Sequence, residues 1–445
     1  MKKVLILGAG LSSSVLIDYL MNGANENDWF IKVGDFDEKL AEKKIHGHNR
    51  AESIFFDVND CEIVEKEISW ADVVVSMLPA RFHPVIAKSC LRQGKHMVTA
   101  SYVSPDMKAL HEDVKAKGLI FLNELGVDPG LDHMSAMKVI NKIRDKGGKI
   151  ISFKSSTGGL VAPEFDNNPW NYKFTWNPRN VVLAGQGTAR FLRNGKFKYI
   201  PYNQLFKRTL LTTVLNYGDF EIYMNRDSLS YRETYELHDI PTIFRGTLRR
   251  PGYCKAWDVF VQLGATDDTY YFENSENLTY RDFINSFLRY QPEVKVEDKI
   301  ADYLNLDPNG EVMKKLQWLG IFSDKKIGMK RATPAQILQK ILEEKWSLDK
   351  DDKDMIVMQH QFEYELNGKT CGLQSSFAFI GEDTTRTAMA ITVGMPAAIA
   401  TKLLLTGVIT RKGVSVPVTP DLYEPILNEL EEYGIKFIEE ELQIQ

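Results

Sequence analysis

The first 130 residues alternate short apolar runs with longer stretches that mix apolar and polar positions. Runs of four or so apolar residues bounded by small or polar residues predict strands, and the stretches between them predict helices. This alternation indicates a parallel sheet, whose ligands bind beyond the carboxyl ends of the strands. The strands are predicted at residues 4–7, in a second run ending at Asp35, and at 54–56, 71–75, 96–99 and 119–122.

The pattern changes near residue 150. Residues 150–155 predict a strand, 156–159 a loop, and an aromatic, asparagine-rich segment follows at 167–176. The chain therefore falls in the α/β class, with a second, mixed α/β domain and a small helical domain. We predict a first domain at 1–130, onto which helices of 385–445 pack, a second at 131–275 and 351–384, and a helical domain at 276–350. Within the second, 355–364 and 372–380 predict a strand pair.

Composition narrows the possible partners and location. The 445 residues carry a net charge of −5, which argues against binding to nucleic acid or to an anionic membrane. The four cysteines are scattered and form no CxxC pair, so we expect neither a metal site nor disulfides, and a reduced, cytoplasmic setting. The N-terminus passes directly into a strand, which leaves no room for a signal peptide. The apolar stretch 387–408 contains Gly394, Pro396 and Lys402, which favours a buried helix over a membrane span.

A glycine turn joins the first strand to the first helix. Gly8 permits a sharp bend, and Gly10 has no side chain, so backbone N–H groups can approach a phosphate at the helix N-terminus. This order of strand, turn, helix and strand is typical of a Rossmann domain that binds a dinucleotide. Serine occupies position 13, where a third glycine is usual, and serine hydroxyls could donate to phosphate instead. The residues expected at the dinucleotide are Gly8, Gly10, Leu11, Ser12, Ser13 and Ser14.

Asp35 ends the second strand, where it could accept hydrogen bonds from the adenosine ribose and would repel a 2′-phosphate. It therefore favours NAD over NADP. Three nearby lysines could still reach a phosphate, so both cofactors remain open: Lys39, Lys43 and Lys44.

Several longer motifs occur in one order along nearly the whole chain. They lie at 82–84, 98–105, 123–133, 158–160, 162–164, 168–176, 225–228, 245–249 and 388–406. With these motifs the chain resembles the glutamate-forming saccharopine dehydrogenase (saccharopine reductase) family. The resemblance implies a Rossmann domain, a substrate and dimerisation domain and a small helical domain. It also implies an NAD(P)-dependent oxidation of saccharopine at its secondary amine, giving glutamate and 2-aminoadipate 6-semialdehyde, or the reverse condensation.

The resemblance also implies site residues. Ser101, Tyr102 and Asp128 would contact the substrate, and Tyr102 and Asp128 would be catalytic. As a turn residue, Asp128 could also cap the following helix, and the two roles are compatible. Arginine pairs with carboxylate through two parallel hydrogen bonds, which suits a tricarboxylate substrate. The other implied substrate ligands are Arg226, Arg245, Gly246, Thr247 and Lys173. The other implied cofactor ligands are Asp57, Leu78, Thr99, Ala100 and Trp176.

The chain departs from this family at two places. Relatives that use NADPH carry a basic residue near Asp35, and the family's Tyr-Cys-Gly-Gly segment has Thr157 in place of its cysteine. Related imine reductases, which form carboxynorspermidine or homospermidine, are an alternative, as is a non-catalytic NAD-binding regulator. A diamine substrate should show acidic residues where the two arginines stand. We expect a homodimer with a small amino-acid substrate and no metal.

Overall fold

The computed structural model describes residues 1–443. The chain divides into two compact units, Met1–Lys149 with Phe379–Ile438, and Ile150–Ala378 with the residues from Glu439 onward. The strands are β1 Lys2–Leu7, β2 Trp29–Asp35, β3 Ala51–Phe55, β4 Val73–Ser76, β5 His96–Thr99, β6 Ile120–Leu122, β7 Lys149–Val161, β8 Ala189–Arg193, β9 Lys196–Ile200, β10 Leu210–Thr213, β11 Asp219–Met224, β12 Thr242–Arg249, β13 Asp354–Leu366, β14 Lys369–Ile380, β15 Gly413–Ser415 and β16 Ile438–Leu442.

The helices alternate with these strands in the first unit and cluster in the second. They are α1 Ser14–Asn22, α2 Glu38–Ile45, α3 Cys61–Trp70, α4 His83–Gln93, α5 Pro105–Ala109, α6 His111–Ala116, α7 Leu131–Asp145, α8 Pro178–Val182, α9 Tyr202–Leu205, α10 Tyr231–Thr234, α11 Tyr253–Leu263, α12 Tyr280–Asn285, α13 Val296–Leu304, α14 Glu311–Trp318, α15 Pro334–Trp346, α16 Ala388–Leu405 and α17 Pro420–Glu432.

The first unit is built on a seven-stranded sheet in the order β15-β6-β5-β4-β1-β2-β3. Each neighbouring pair is parallel. Residues 4–7 of β1 and all of β4 are buried because helices pack against the sheet, and this explains why the apolar runs predicted these strands. The six predicted strands and the α/β fold with a Rossmann domain are confirmed. β15, which pairs with β6 at the sheet edge, was not predicted.

Helix α16 packs against α1 within this unit. A side chain at Gly394 would bring its Cβ to 3.1 Å from the backbone nitrogen of Leu16, so glycine permits the two helices to approach closely. α16 is also the one helix among residues 1–443 that is long and apolar enough to cross a membrane, and 72 % of it is buried within the structure. Its burial fits the prediction of a core helix.

The second unit contains a mixed sheet in the order β10-β11-β12-β7-β13-β14-β16, with β8 pairing to β12 and to β9. β7 and β12 are parallel, whereas β10, β11 and β12 run antiparallel to one another in turn. The predicted strand pair at 355–364 and 372–380 is confirmed as β13 and β14. The predicted loop at 156–159 is wrong: those residues continue β7, because they pair with β12 as far as Thr157.

The boundaries of the two units differ from the predicted domains. The first unit continues through α7 to Lys149, and the helices α12 to α15 of residues 276–350 belong to the second unit. A separate helical domain therefore stays a prediction. The last sixty residues contain β15 and β16 as well as helices. These two strands were not predicted, because short strands at sheet edges carry little apolar pattern of their own.

Candidate active site

The glycine turn lies at the carboxyl end of β1. Gly8 has φ of +101°, and a Cβ there would lie 3.0 Å from the backbone of Met77, so only glycine fits. Gly10 is exposed, and a Cβ there would meet no atom within 4 Å. The protein's own packing therefore requires Gly8, whereas Gly10 leaves open space beside the backbone, as close approach of a diphosphate requires.

A short 3₁₀ turn, Leu11–Ser13, leads from Gly10 into α1. Ser13 and Ser14 are buried, and their hydroxyls donate to the carbonyls of Gly10 at 2.9 Å and Leu11 at 3.2 Å. Ser14 also accepts a hydrogen bond from the ammonium of Lys44. Of the three serines, Ser12 is the half-exposed one, so it is the best placed to donate to a phosphate.

Asp35 ends β2 and is bound to the glycine turn. Its Oδ2 accepts from the backbone nitrogen of Ala9 at 2.7 Å, and its Oδ1 accepts from that of Asp37 at 2.9 Å. Asp57 follows β3 and accepts from the backbone and side chain of Asn59. Leu78 lies half-buried after β4. These strand ends share one edge of the parallel sheet, and together with the turn they fit a bound dinucleotide.

The second group of predicted residues follows β5 and β6. The hydroxyl of Tyr102, whose residue is 51 % exposed, donates to Oδ1 of Asp128 at 3.2 Å. Glu124 fixes the two loops together: its backbone nitrogen donates to the Ser101 carbonyl, and its Oε1 accepts from the nitrogen of Val103. The other oxygen of Glu124 lies 2.6 Å from Nε2 of His133. Buried Glu124 thus fixes the loops that carry Tyr102 and Asp128.

Helix α7 begins after this loop, and its N-cap is Gly130, not Asp128. The backbone nitrogen of Gly130 donates to Oδ1 of Asp132 at 2.6 Å. Asp132 thus binds the backbone at the helix start, and Asp128 lies one turn earlier with its carboxylate against Tyr102. The N-cap residue is therefore Gly130, and a contact of the Asp128 side chain with the helix start stays a prediction.

His83 is a site residue for which no role was predicted, although it lies in one of the family motifs. It is 2 % exposed and begins α4. Its Nδ1 lies 3.0 Å from the hydroxyl of Ser76, and its Nε2 lies 2.8 Å from that of Ser101 and 3.2 Å from that of Thr99. Burial lowers the pKa of His83 from 6.5 to about 4. The imidazole is therefore neutral at neutral pH.

In the second unit, the loop after β11 is tied to β12. The nitrogen of Asn225 donates to the carbonyl of Arg245, and the nitrogen of Arg245 donates to the hydroxyl of Ser228. Thr247 in turn donates to Oδ1 of Asn225 at 2.8 Å. These bonds bring the backbones of Arg226 and Arg245 side by side, as the predicted pairing with carboxylates requires.

The two arginines have different environments. Arg245 is buried and stacks on Tyr231, with its guanidinium carbon 3.9 Å from the ring centre. Arg226 is exposed and forms no ion pair with any of residues 1–443. Gly246 between the strands has a packing role, since a Cβ there would lie 2.2 Å from Ile222.

Lys173 and Trp176 also belong to the second unit. Lys173 is buried and forms ion pairs with Asp352 at 2.5 Å and Asp349 at 3.1 Å. Its charge is already compensated, which gives no support to the predicted contact with substrate. Trp176 is half-buried in the loop that precedes α8, and its predicted contact with the cofactor stays a prediction.

Two family models match this chain. The "Saccharopine dehydrogenase NADP binding domain" model matches residues 4–122, and the "Saccharopine dehydrogenase C-terminal domain" model matches 126–435. The chain belongs to the saccharopine dehydrogenase family. The resemblance read from the motifs is thereby confirmed.

Individual members of the family match end to end. "Saccharopine dehydrogenase (NADP(+), L-glutamate-forming)" of Schizosaccharomyces pombe is 34 % identical over 449 residues, 99 % of each chain. The protein of that name from Saccharomyces cerevisiae is 33 % identical over 98 % of each chain. The solved structure of the apo S. cerevisiae saccharopine dehydrogenase (L-Glu forming) has a TM-score of 0.90 at 31 % identity and covers all of both chains.

These relatives bear on the cofactor. The matched domain model and the matched fungal enzymes are all named for NADP, so the preference for NAD drawn from Asp35 receives no support. Among residues 1–443, no cluster of three or more His, Cys, Asp or Glu could hold a metal ion.

Proposed function

We propose that this protein catalyses the reversible NADP-dependent oxidation of saccharopine to glutamate and 2-aminoadipate 6-semialdehyde, a step of lysine metabolism. The observation that supports this most is the end-to-end match with NADP-dependent, L-glutamate-forming enzymes, over 98–99 % of this chain and of theirs. A related reductase with a different substrate would not be expected to match over both domains at this level.

For the cofactor, we propose that the turn from Gly8 to Ser12 binds the diphosphate. Its backbone N–H groups and the N-terminus of α1 supply partial positive charge, and Gly10 leaves space for close approach. A bound NADP would supply the hydride acceptor for oxidation of the carbon that becomes the aldehyde. Lys39 and Lys43 are exposed and Lys44 is half-buried on α2, so they are the cations we propose for the 2′-phosphate.

For the reaction itself, we propose that Tyr102 and Asp128 act on the secondary amine. Loss of hydride leaves a positively charged iminium, and the carboxylate of Asp128 would stabilise that charge. The Tyr102 hydroxyl donates to Oδ1 of Asp128 and so orients the carboxylate, which we propose as the acceptor of the amine proton. Water then adds to the iminium carbon, and the C–N bond breaks to release glutamate.

For the substrate carboxylates, we propose Arg226 and Arg245 as ligands. Arg226 has an exposed guanidinium without an ion-pair partner among residues 1–443, and Arg245 is held in place by its stack on Tyr231. Two guanidinium groups on neighbouring backbone segments suit a molecule with three carboxylates.

The function is tested with purified protein and saccharopine, using NADP and NAD separately and following absorbance at 340 nm. We expect a saccharopine-dependent rise that is larger with NADP, and none with carboxynorspermidine. A rise with carboxynorspermidine alone would assign the protein to the other branch of imine reductases.

We also propose that the protein is a homodimer. Three apolar side chains on β9 and β10 are exposed, Phe197 at 54 %, Tyr199 at 58 % and Leu211 at 74 %. Burial of these side chains against a second copy would favour association. Light scattering after size exclusion should give a mass of two chains; the mass of one chain would rule the proposal out.

A further inference from the structure

A chain of polar contacts runs behind Ser101 at the carboxyl edge of the first unit's sheet. Ser76 ends β4, Thr99 ends β5, and His83 begins the helix that follows β4. The imidazole of His83 connects them, with Ser76 on one ring nitrogen and Ser101 and Thr99 on the other. Ser76, His83 and Thr99 are at most 2 % exposed, whereas Ser101 is half-exposed.

We propose that His83 is a positioning residue that fixes the hydroxyl of Ser101 for contact with the substrate. This inference rests on the proposed function, with Ser101 in the substrate-contacting role that the family resemblance implies. Among these four residues, Ser101 is the half-exposed one. A substitution at His83 should therefore alter substrate binding through the hydroxyl of Ser101.

The contacts explain why the imidazole can hold a hydroxyl in one orientation. A neutral histidine has one N–H donor and one acceptor nitrogen, so the hydrogen bond to Ser76 decides which role is left for Nε2. A serine hydroxyl otherwise rotates freely among three rotamers. Because Nε2 of His83 lies 2.8 Å from the Ser101 hydroxyl, this contact fixes one hydrogen bond of that hydroxyl. The other hydrogen-bonding capacity of the hydroxyl is then left for the substrate.

The same surroundings argue against His83 as the proton acceptor for the amine. It is buried among three neutral hydroxyls, and none of its hydrogen-bond partners is a carboxylate that would stabilise the imidazolium. Its low pKa agrees with this environment. Positioning is therefore the role that the geometry favours.

The test compares two substitutions at His83. His83→Phe keeps a ring but removes both nitrogens, and we expect kcat/KM for saccharopine to fall about tenfold, the effect of one lost hydrogen bond. His83→Gln offers an amide near the position of Nε2, and we expect it to recover to within about threefold of wild type. The KM for NADP should stay unchanged in both. Equal losses in the two variants would contradict the proposal.

A double-mutant cycle with Ser101→Ala separates positioning from a structural role. If His83 acts through Ser101, His83→Phe should cost less than twofold in the Ser101→Ala background. A further tenfold loss there would overturn the inference.

A second cycle does not depend on the folding of His83→Phe. Ser76→Ala removes the partner of His83 Nδ1 and leaves Ser101 unchanged. We expect kcat/KM for saccharopine to fall about threefold in the wild-type background and to stay unchanged in the Ser101→Ala background. Ser89→Ala is the matched control, because Ser89 is a buried serine on the same helix whose hydroxyl accepts from Gln93. If Ser76→Ala still lowers kcat/KM about threefold in the Ser101→Ala background, the proposal is contradicted. If wild-type protein fails to oxidise saccharopine, the proposed function fails instead.

Discussion

Oδ2 of Asp35 accepts a hydrogen bond of 2.7 Å from the backbone nitrogen of Ala9, in the middle of the glycine turn. The acid that ends β2 therefore helps to shape the turn, and it does not serve only as a ligand for a ribose. This structural role of Asp35 is independent of which dinucleotide the chain binds. It also means that removing Asp35 should affect both cofactors through the turn.

The ratio of kcat/KM with NADP to kcat/KM with NAD isolates the effect of the negative charge of Asp35. Asp35→Asn keeps the size of the side chain but removes a negative charge beside the proposed 2′-phosphate. We expect kcat/KM to fall with both cofactors, and the NADP/NAD ratio of kcat/KM to rise about tenfold. Asp37→Asn, on an exposed neighbour that caps α2, is the control. An unchanged ratio would mean that Asp35 does not face the 2′ position.

The Tyr102–Asp128 pair should control the chemical step. Asp128→Asn removes the carboxylate that faces the developing iminium, and we expect kcat for saccharopine to fall about 100-fold. Tyr102→Phe removes one hydrogen bond and should cost about tenfold. Steady-state kinetics with a fluorescence titration of NADPH would check this, since NADPH binding should be unchanged. Asp106→Asn, at an exposed position of α5, is the control. A kcat of Asp128→Asn within threefold of wild type would exclude the proposed role.

Arg226 should act on substrate affinity more than on rate. Arg226→Gln removes an exposed guanidinium, and we expect the KM for saccharopine to rise at least tenfold while kcat changes less than threefold. Arg226→Lys should recover part of the loss, because lysine keeps the charge but not the two parallel donors. Arg193→Gln, another exposed arginine of the same unit, should leave the KM unchanged. A normal KM in Arg226→Gln would remove this residue from the site.

Lys173 should act on stability and not on substrate binding. Lys173→Met leaves Asp352 buried without its cation, and we expect the free energy of unfolding to fall by about 3–5 kcal/mol. The KM for saccharopine of the folded variant should match wild type. Urea unfolding and kinetics check both, with the exposed Lys350→Met as control. Unchanged stability together with a higher KM would return Lys173 to the list of substrate ligands.

The buried His83 should make folding stability depend on pH. Its pKa is lowered from 6.5 to about 4 in the folded protein, so the unfolded chain binds the proton more readily. The contribution of neutral His83 to the free energy of unfolding is fully present above pH 6.5 and is lost as the pH falls toward 4. The loss amounts to about 3 kcal/mol, at 1.36 kcal/mol per pKa unit. The difference in free energy of unfolding between wild type and His83→Phe should shrink by that amount between pH 7 and pH 4; a constant difference would contradict the assignment.

Much of the first unit could be predicted because its signals are local. Apolar runs mark strands that are buried on both faces, and a glycine pair after the first strand marks a turn that packing at Gly8 requires. The same reasoning failed at residues 156–159, where glycines and hydroxyl residues suggested a loop. Pairing of β7 with β12 overrides that local preference.

The contacts that define the site depend on residues far apart in the chain. Lys173 looked like a free cation until folding brought Asp352 against it, 179 positions away. His83 had no role until the ends of β4 and β5 placed Ser76, Thr99 and Ser101 around its ring. The sequence by itself determined the family, the Rossmann unit and the residue types at the strand ends. Only the tertiary structure decided which of those side chains are paired, buried or open to a ligand, because burial and partner choice arise when separate strands meet.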